Sequence, residues 1–296
     1  MFKRIALFLL TNIAIIAVIS ILLSVFNVQP YLSSQGLDYQ SLLVYALIVG
    51  FTGSIISLLM SKWMAKHAYG IQVIDRPSTQ TEALLIATVR KLAGQMNIGM
   101  PEVGIYDSPE PNAFATGWNK NNAIVAVSTG LLNLMDQEEL EGVLGHEVSH
   151  IANGDMVTLT LIQGVVNTFV IFFARIAAFV VSQALRRNND DENAVGGFAY
   201  YGTAILFEIL FGILASMIVM WFSRYREYRA DAGSAKYVGK DKMIKALRKL
   251  QAAMSLPHEE QAPSMEVMKI SSGKRLLGLF SSHPPLEERI RALQGR

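Results

Sequence analysis

The chain has 296 residues, a net charge of +2, no cysteine, and a composition that is 51% hydrophobic but only 17% charged. The lack of cysteine excludes thiolate metal sites, disulfide staples and a cysteine nucleophile, so any metal site must use histidine and carboxylate. Basic residues are scattered beside apolar runs, which argues against nucleic acid as a partner, and a mean hydropathy of +0.32 directs attention to membrane spans.

Four apolar runs stand out: Ile5 to Val28, Leu42 to Met60, Val157 to about Leu185, and Phe198 to Phe222. Each is close to or above the roughly 20 residues that cross a ~30 Å hydrocarbon layer as a helix. A cleaved signal peptide is the rival reading of the first run. Its apolar core exceeds the ~7–15 residues of such peptides, and no small-residue cleavage site precedes Gln29-Pro30. Lys3 and Arg4 precede the first span, Lys62, Lys66, Arg76, Arg90 and Lys91 follow the second, and Arg224, Arg226, Arg229 and Lys236 follow the fourth. The loop Gln29–Ser41 carries only Asp38. By the positive-inside rule both termini and both long polar segments are cytoplasmic.

The expected division has four parts. Residues 1–61 form a membrane hairpin with spans at about 5–27 and 42–61, and 62–156 the first cytoplasmic part. Residues 157–222 form a second hairpin with spans at about 157–178 and 199–222, and 223–296 the second cytoplasmic part. The fold class is mainly α, four transmembrane helices joined to an α+β domain with a small sheet.

Lys62 to Ile74 is a basic, aromatic stretch expected along the inner membrane surface. From Thr81 to Met96, Leu84, Leu85, Thr88, Val89 and Leu92 mark an amphipathic helix. Glu102 to Asp107 reads as a strand, and Asn112 to Ser128 as a hairpin turning at Asn119-Lys120-Asn121-Asn122. Pro109 and Pro111, just before it, place the first hairpin strand at a sheet edge. Asp136 with Glu139 predicts a capped helix start, followed by a buried stripe of Leu140, Val143, Leu144, Val148 and Ile151. Asn153-Gly154-Asp155 marks a break before the third span. Within the third and fourth spans lie Arg175 and Glu208, a candidate ion pair. Ser223 to Ala235 and Asp241 to Met254 read as helices, Ser255 to Ser272 as a polar surface loop, and the tail from Ser282 as a loop followed by a short terminal helix.

The chemistry centres on His146-Glu147-Val148-Ser149-His150. At i and i+4 of a helix both imidazoles share one face and can bind one metal ion, with Glu147 beside them as a candidate base for the attacking water. A catalytic site of this kind wants a third protein ligand, for which Asp155, Glu227, Asp231, His258 and His283 are candidates. Topology favours Glu227: His150 precedes the third span, Glu227 follows the fourth, and a membrane hairpin returns the chain beside its entry point. Asp231, one turn on, is positioned to hold a ligand imidazole.

His146-Glu147-x-x-His150, the Arg-x-x-Glu-x-x-Ala-Asp segment holding Glu227 and Asp231, Asn112-Ala113-Phe114-Ala115 and the four-span layout together resemble the HtpX heat-shock membrane protease family. These are relatives of the CAAX prenyl proteases and the mitochondrial Oma-type peptidases. The resemblance covers essentially the whole chain. It implies one zinc ion held by His146, His150 and Glu227, Glu147 as catalytic base, Asp231 behind the ligands, and Asn112, Ala113, Phe114 and Ala115 along the substrate cleft. It also points to His283, in a C-terminal His-Pro segment with Arg289 nearby, as a group beside the reacting carbonyl. The implied partners are the lipid bilayer and membrane-protein or unfolded polypeptide substrates, including misfolded ones, at a bacterial inner membrane. An intramembrane protease is opposed by Glu138, Glu139 and Glu141, which lie within two turns of His146. A non-catalytic zinc-binding scaffold or chaperone would have no use for Glu147.

Overall fold

The computed structural model describes residues 37–186, 195–255 and 282–295. The first apolar run and most of the Ser255–Ser272 loop lie outside the described residues, as does His258. The elements in chain order are α1 (Tyr39–Ala68), β1 (Gln72–Val73), α2 (Gln80–Gln95), β2 (Glu102–Tyr106), β3 (Ala113–Asn119), β4 (Asn122–Ser128), α3 (Thr129–Leu134), α4 (Gln137–Asn153), α5 (Asp155–Arg186), α6 (Val195–Tyr237), α7 (Lys240–Ser255) and α8 (Leu286–Gln294). The chain forms two units. One holds the described parts of Met1–Ile56 with Leu159–Val219, the other Ser57–Thr158 with the described parts of Met220–Arg296.

In the first unit α1, α5 and α6 pack as apolar helices. Three helices among the described residues are long and apolar enough to cross a membrane, matching the second, third and fourth apolar runs. α1 and α5 approach closely where Gly50 meets Thr168 and Gly164 meets Phe51, which small residues permit when lipid supplies no hydrophobic drive. Leu43, Ala46, Phe51 and Phe172 fill that interface. Arg175 and Glu208 pair at 3.2 Å between α5 and α6, so the two charges of the spans neutralise one another.

The second unit carries a four-stranded sheet of order β1-β2-β4-β3. After β2 the chain passes to the outer edge, forms β3, and turns back so that β4 lies between them. β4 therefore pairs parallel with β2 and antiparallel with β3. The central position suits the Ala123–Val127 run, buried on both faces, and leaves β3 at an edge unpaired by any strand among the described residues. One sheet face meets α2 and α4 through Val103, Val125, Val127, Leu85, Val89 and Leu144. The other holds Ile71, Tyr106, Ile124, Ala126 and Phe114, with Ala65 of α1 packed against them. Lys62 to Ala68 continues α1 rather than forming a separate surface segment; its lysines are drawn off by Glu102 on β2, which pairs with Lys62 at 2.8 Å and with Lys66.

Candidate active site

α4 positions the first two site histidines. It starts in a capping box, with the Glu139 amide donating to Asp136 Oδ1 at 2.8 Å and the Asp136 amide to Glu139 Oε2 at 3.0 Å. It ends at Gly154, which takes the left-handed conformation (φ 69°, ψ 32°) that costs glycine no side-chain clash. Leu140, Leu144, Val148 and Ile151 bury one stripe, which leaves His146 and His150 turned toward Glu227 and Glu147 facing the cavity. α6 crosses α4 almost without spacing. A methyl group on Gly233 would collide with Ser149, one on Gly145 with Ser234 and Val238, and Ser234 Oγ donates to the Gly142 carbonyl at 2.7 Å. That close approach carries Glu227, one to two turns earlier on α6, to the histidines.

His146 Nε2 and His150 Nε2 lie 3.1 Å apart, and the Glu227 carboxylate stands 3.4 Å from the first and 3.3 Å from the second. One ligand atom from each residue lies within 4.8 Å of the others. Tetrahedral coordination with metal–nitrogen bonds of ~2.0–2.1 Å separates donor pairs by about 3.3 Å. The three donors fit one metal ion. Their outward nitrogens are backed by carboxylates: His146 Nδ1 lies 2.8 Å from Asp231 Oδ1, and His150 Nδ1 lies 2.7 Å from Asp155 Oδ2. This is the arrangement by which outer carboxylates fix ligand rings and raise their basicity.

Arg289 of α8 closes the back of the site. Its Nε and Nη2 donate to the two Asp231 oxygens at 2.8 and 2.6 Å, and its Nη1 lies 3.4 Å from Glu227. His283 Nδ1 stands 2.8 Å from Glu227 Oε2. Of the third-ligand candidates, Glu227 alone among the described residues joins the convergence point; Asp155 and Asp231 sit on the opposite ring nitrogens, and His283 contacts Glu227 itself.

These contacts set the charges. Burial pushes the Glu147 carboxyl up from its ordinary value, with the two imidazoles opposing, which suits a group that must accept a proton near neutral pH. Burial works against an ionised Glu227, but hydrogen bonds from His146, His150 and His283 outweigh it and hold its carboxyl well below the usual carboxylate range. Asp231 is also held low: burial opposes the charge, and Arg289 and His146 prevail. At His150 burial disfavours the cation, yet Asp155 and Glu227 lift the ring to about 9.

A cavity of about 130 Å³ opens beside these groups. His146, Glu147, Glu227, His283 and Arg289 form its polar wall, Val143, Ala246 and Leu250 lie among its apolar residues, and Pro111, Asn112 and Ala113 form its rim. Thus Asn112 and Ala113 meet the cavity. Phe114 and Ala115 are outside its lining: Phe114 packs its ring 5.7 Å from Tyr106 on the α1-facing side of the sheet, and Ala115 packs into the core against α4.

Two features of the site are absent from the sequence reading in the role they take. Asp155, a candidate metal ligand by residue type, instead braces the outer nitrogen of His150, a reach across Gly154 that helical spacing does not signal. Arg289 clamps Asp231. Its signal was present: in α8 Leu286, Arg289, Ile290 and Leu293 follow i, i+3, i+4, i+7, so an arginine occupies the buried stripe.

The model of peptidase family M48 matches residues 79–296, the stretch that holds every one of these groups. The chain belongs to peptidase family M48. Similar proteins extend the likeness to the whole chain. "Protease HtpX" of Tolumonas auensis is 57% identical over 293 residues, covering 99% of both chains. "Protease HtpX homolog" of Nitrosomonas europaea is 54% identical over 297 residues, again covering 99% of both. Among solved structures the crystal structure of S. mikatae Ste24p superposes with a TM-score of 0.61 at 18% identity, covering 97% of this chain and 67% of that one, a likeness of fold. The chain is a membrane-bound metalloendopeptidase with three helices among the described residues long and apolar enough to cross a membrane, and its family implies a metal ion that the His146–His150–Glu227 group could hold.

Proposed function

We propose that the chain is a zinc endopeptidase that degrades misfolded or damaged membrane proteins from the cytoplasmic face of a bacterial inner membrane. His146, His150 and Glu227 hold the zinc, and all four apolar runs cross the membrane with both termini inside. The observation that carries the catalytic reading is the convergence of two Nε2 atoms and one carboxylate within 4.8 Å, beside the buried Glu147. Nitrogen and oxygen donors without thiolate suit zinc in a hydrolytic site. The zinc supplies a Lewis acid that activates water and polarises the scissile carbonyl.

The chain's own residues do the rest. Glu147 takes the proton of the attacking water and returns it to the leaving amine, a task its upward-shifted carboxyl favours. Asp155 and Asp231 hold the imidazoles in the tautomer whose Nε2 faces inward. His283, at the cavity wall with Arg289 behind, is the group proposed to meet the developing oxyanion. A substrate in extended form adds to the open edge of β3, with Asn112 to Ala115 as its template, so that recognition rests on main-chain hydrogen bonds and side-chain preference is loose. That mode suits unfolded polypeptide and the loops or tails of membrane proteins.

Glu147→Gln tests the reading. The purified full-length variant in detergent should keep its zinc and lose cleavage of an unfolded substrate by at least ~100-fold, the low end for a general base. Cleavage equal to the unaltered protein would overturn Glu147 as base and leave the scaffold reading in its place.

A further inference from the structure

The tip of the β3–β4 hairpin plays no part in the chemistry above, yet it is tied to the membrane helix. Trp118 is 42% exposed there, and Lys120 and Asn121 are exposed with it. Lys62 Nζ, on α1, donates to Asn122 Oδ1 at 2.9 Å. The depth of Lys62 follows from the sequence. The apolar run Leu42–Met60 contains 19 residues, about 28 Å of helix at ~1.5 Å per residue. It therefore just fills a ~30 Å hydrocarbon layer. Lys62 lies two residues further, about 3 Å along the axis, within a headgroup layer that is ~5–7 Å deep on each side. Asn122 is one lysine side chain away.

The orientation of the hairpin agrees with that depth. Asn122 shares strand parity with Ile124 and Ala126, and Trp118 sits beside it at the register shift between Gly117 and Asn119. The Phe114 ring packs 5.1 Å from Tyr69, just past the end of α1, and belongs to the face against which Ala65 of α1 packs. Trp63, next to Lys62, is itself 57% exposed. An indole beside a lysine and amide side chains, level with the end of an apolar span, is the chemistry of a lipid interface, where amphipathic rings settle at headgroup level and ammonium groups meet phosphate.

We propose that the hairpin tip is a second membrane contact, with Trp118 in the headgroup layer of the bilayer that α1 crosses and Lys120 facing lipid phosphate. The contact is independent of which side of the membrane the domain occupies and of the zinc reading. It holds the open edge of β3 beside the lipid surface, where a polypeptide segment leaving the bilayer meets that strand first.

The chain has three tryptophans, Trp63, Trp118 and Trp221, and no cysteine, so the test is direct. The full-length W63F/W221F protein, in nanodiscs of phosphatidylcholine and phosphatidylglycerol, reports Trp118 alone. Its emission should be blue-shifted, shielded from aqueous iodide, and quenched by lipid brominated near the headgroup. The quenching should match that of a W63F/W118F protein reporting Trp221 at the edge of the fourth apolar run. Quenching by iodide with none by brominated lipid would put Trp118 in water and overturn the proposal. Emission indifferent to both quenchers would put it against another protein surface, such as a second copy, and would overturn it equally. A spin label at K120C, with the tryptophans intact, gives the same answer independently. Greater relaxation by lipid-soluble oxygen than by a water-soluble nickel chelate is expected, and the reverse order contradicts the contact.

Discussion

His146 and His150 leave the same face of one helix and turn the same nitrogen toward Glu227, yet they are held from behind by different means. The brace of His146 is long-range. Asp231 comes from α6 and has its two oxygens taken by Arg289 of α8, at 2.6 and 2.8 Å. The brace of His150 is local, since Asp155 is the first residue of the next helix, five positions on. Its second oxygen, Oδ1, is buried without a hydrogen-bond partner among the described residues. One ligand therefore depends on contacts from α6 and α8, and the other on the junction of α4 with the helix that follows it. The two halves of this i, i+4 motif thus depend unequally on the rest of the fold.

The comparison can be broken from its stronger side first. Asp231→Ala would leave the Arg289 guanidinium, 7% exposed, without its bidentate partner. Losing one member of a buried pair costs about 3–5 kcal/mol, so the variant should show a large fall in thermal midpoint as well as weakened metal binding. Arg289→Lys keeps the charge but not the planar fork, and should cost about 1.5–3 kcal/mol, the range for hydrogen bonds to charged groups. Denaturant titration of the solubilised protein checks both. Asp155→Asn sharpens the contrast from the other side. It should weaken metal binding by roughly 10–100-fold, as loss of an outer carboxylate does, with little change in thermal midpoint, read by competition with a chelator of known affinity. Equal stability losses for Asp231→Ala and Asp155→Asn would erase the distinction.

The sequence makes part of the site legible through local spacing and part through the path of the chain. Helical spacing aligned His146 with His150, and the hairpin argument favoured Glu227, whose carboxylate does reach both rings. The open edge of β3 followed from two prolines, and three of the four apolar runs coincide with long apolar helices. What escaped depends on side-chain direction or on long-range pairing. Of Asn112 to Ala115, the first two residues line the cavity, while Phe114 packs on the far face of the sheet, a division that the sequence pattern alone does not show. The parallel pairing of β2 with β4 has no local signature, because β4 follows β3 in the chain yet lies between β2 and β3 in the sheet. Asp155 is a candidate ligand by residue type, and only the turn at Gly154 directs it to the outer nitrogen of His150 instead.

The central claim is that His146, His150 and Glu227 together hold one zinc ion. Elemental analysis of the purified full-length protein beside Glu227→Ala, with folding checked by circular dichroism, tests it most directly. The account predicts one zinc per unaltered chain and a near-complete loss from the folded variant. Unchanged zinc in folded Glu227→Ala would contradict it.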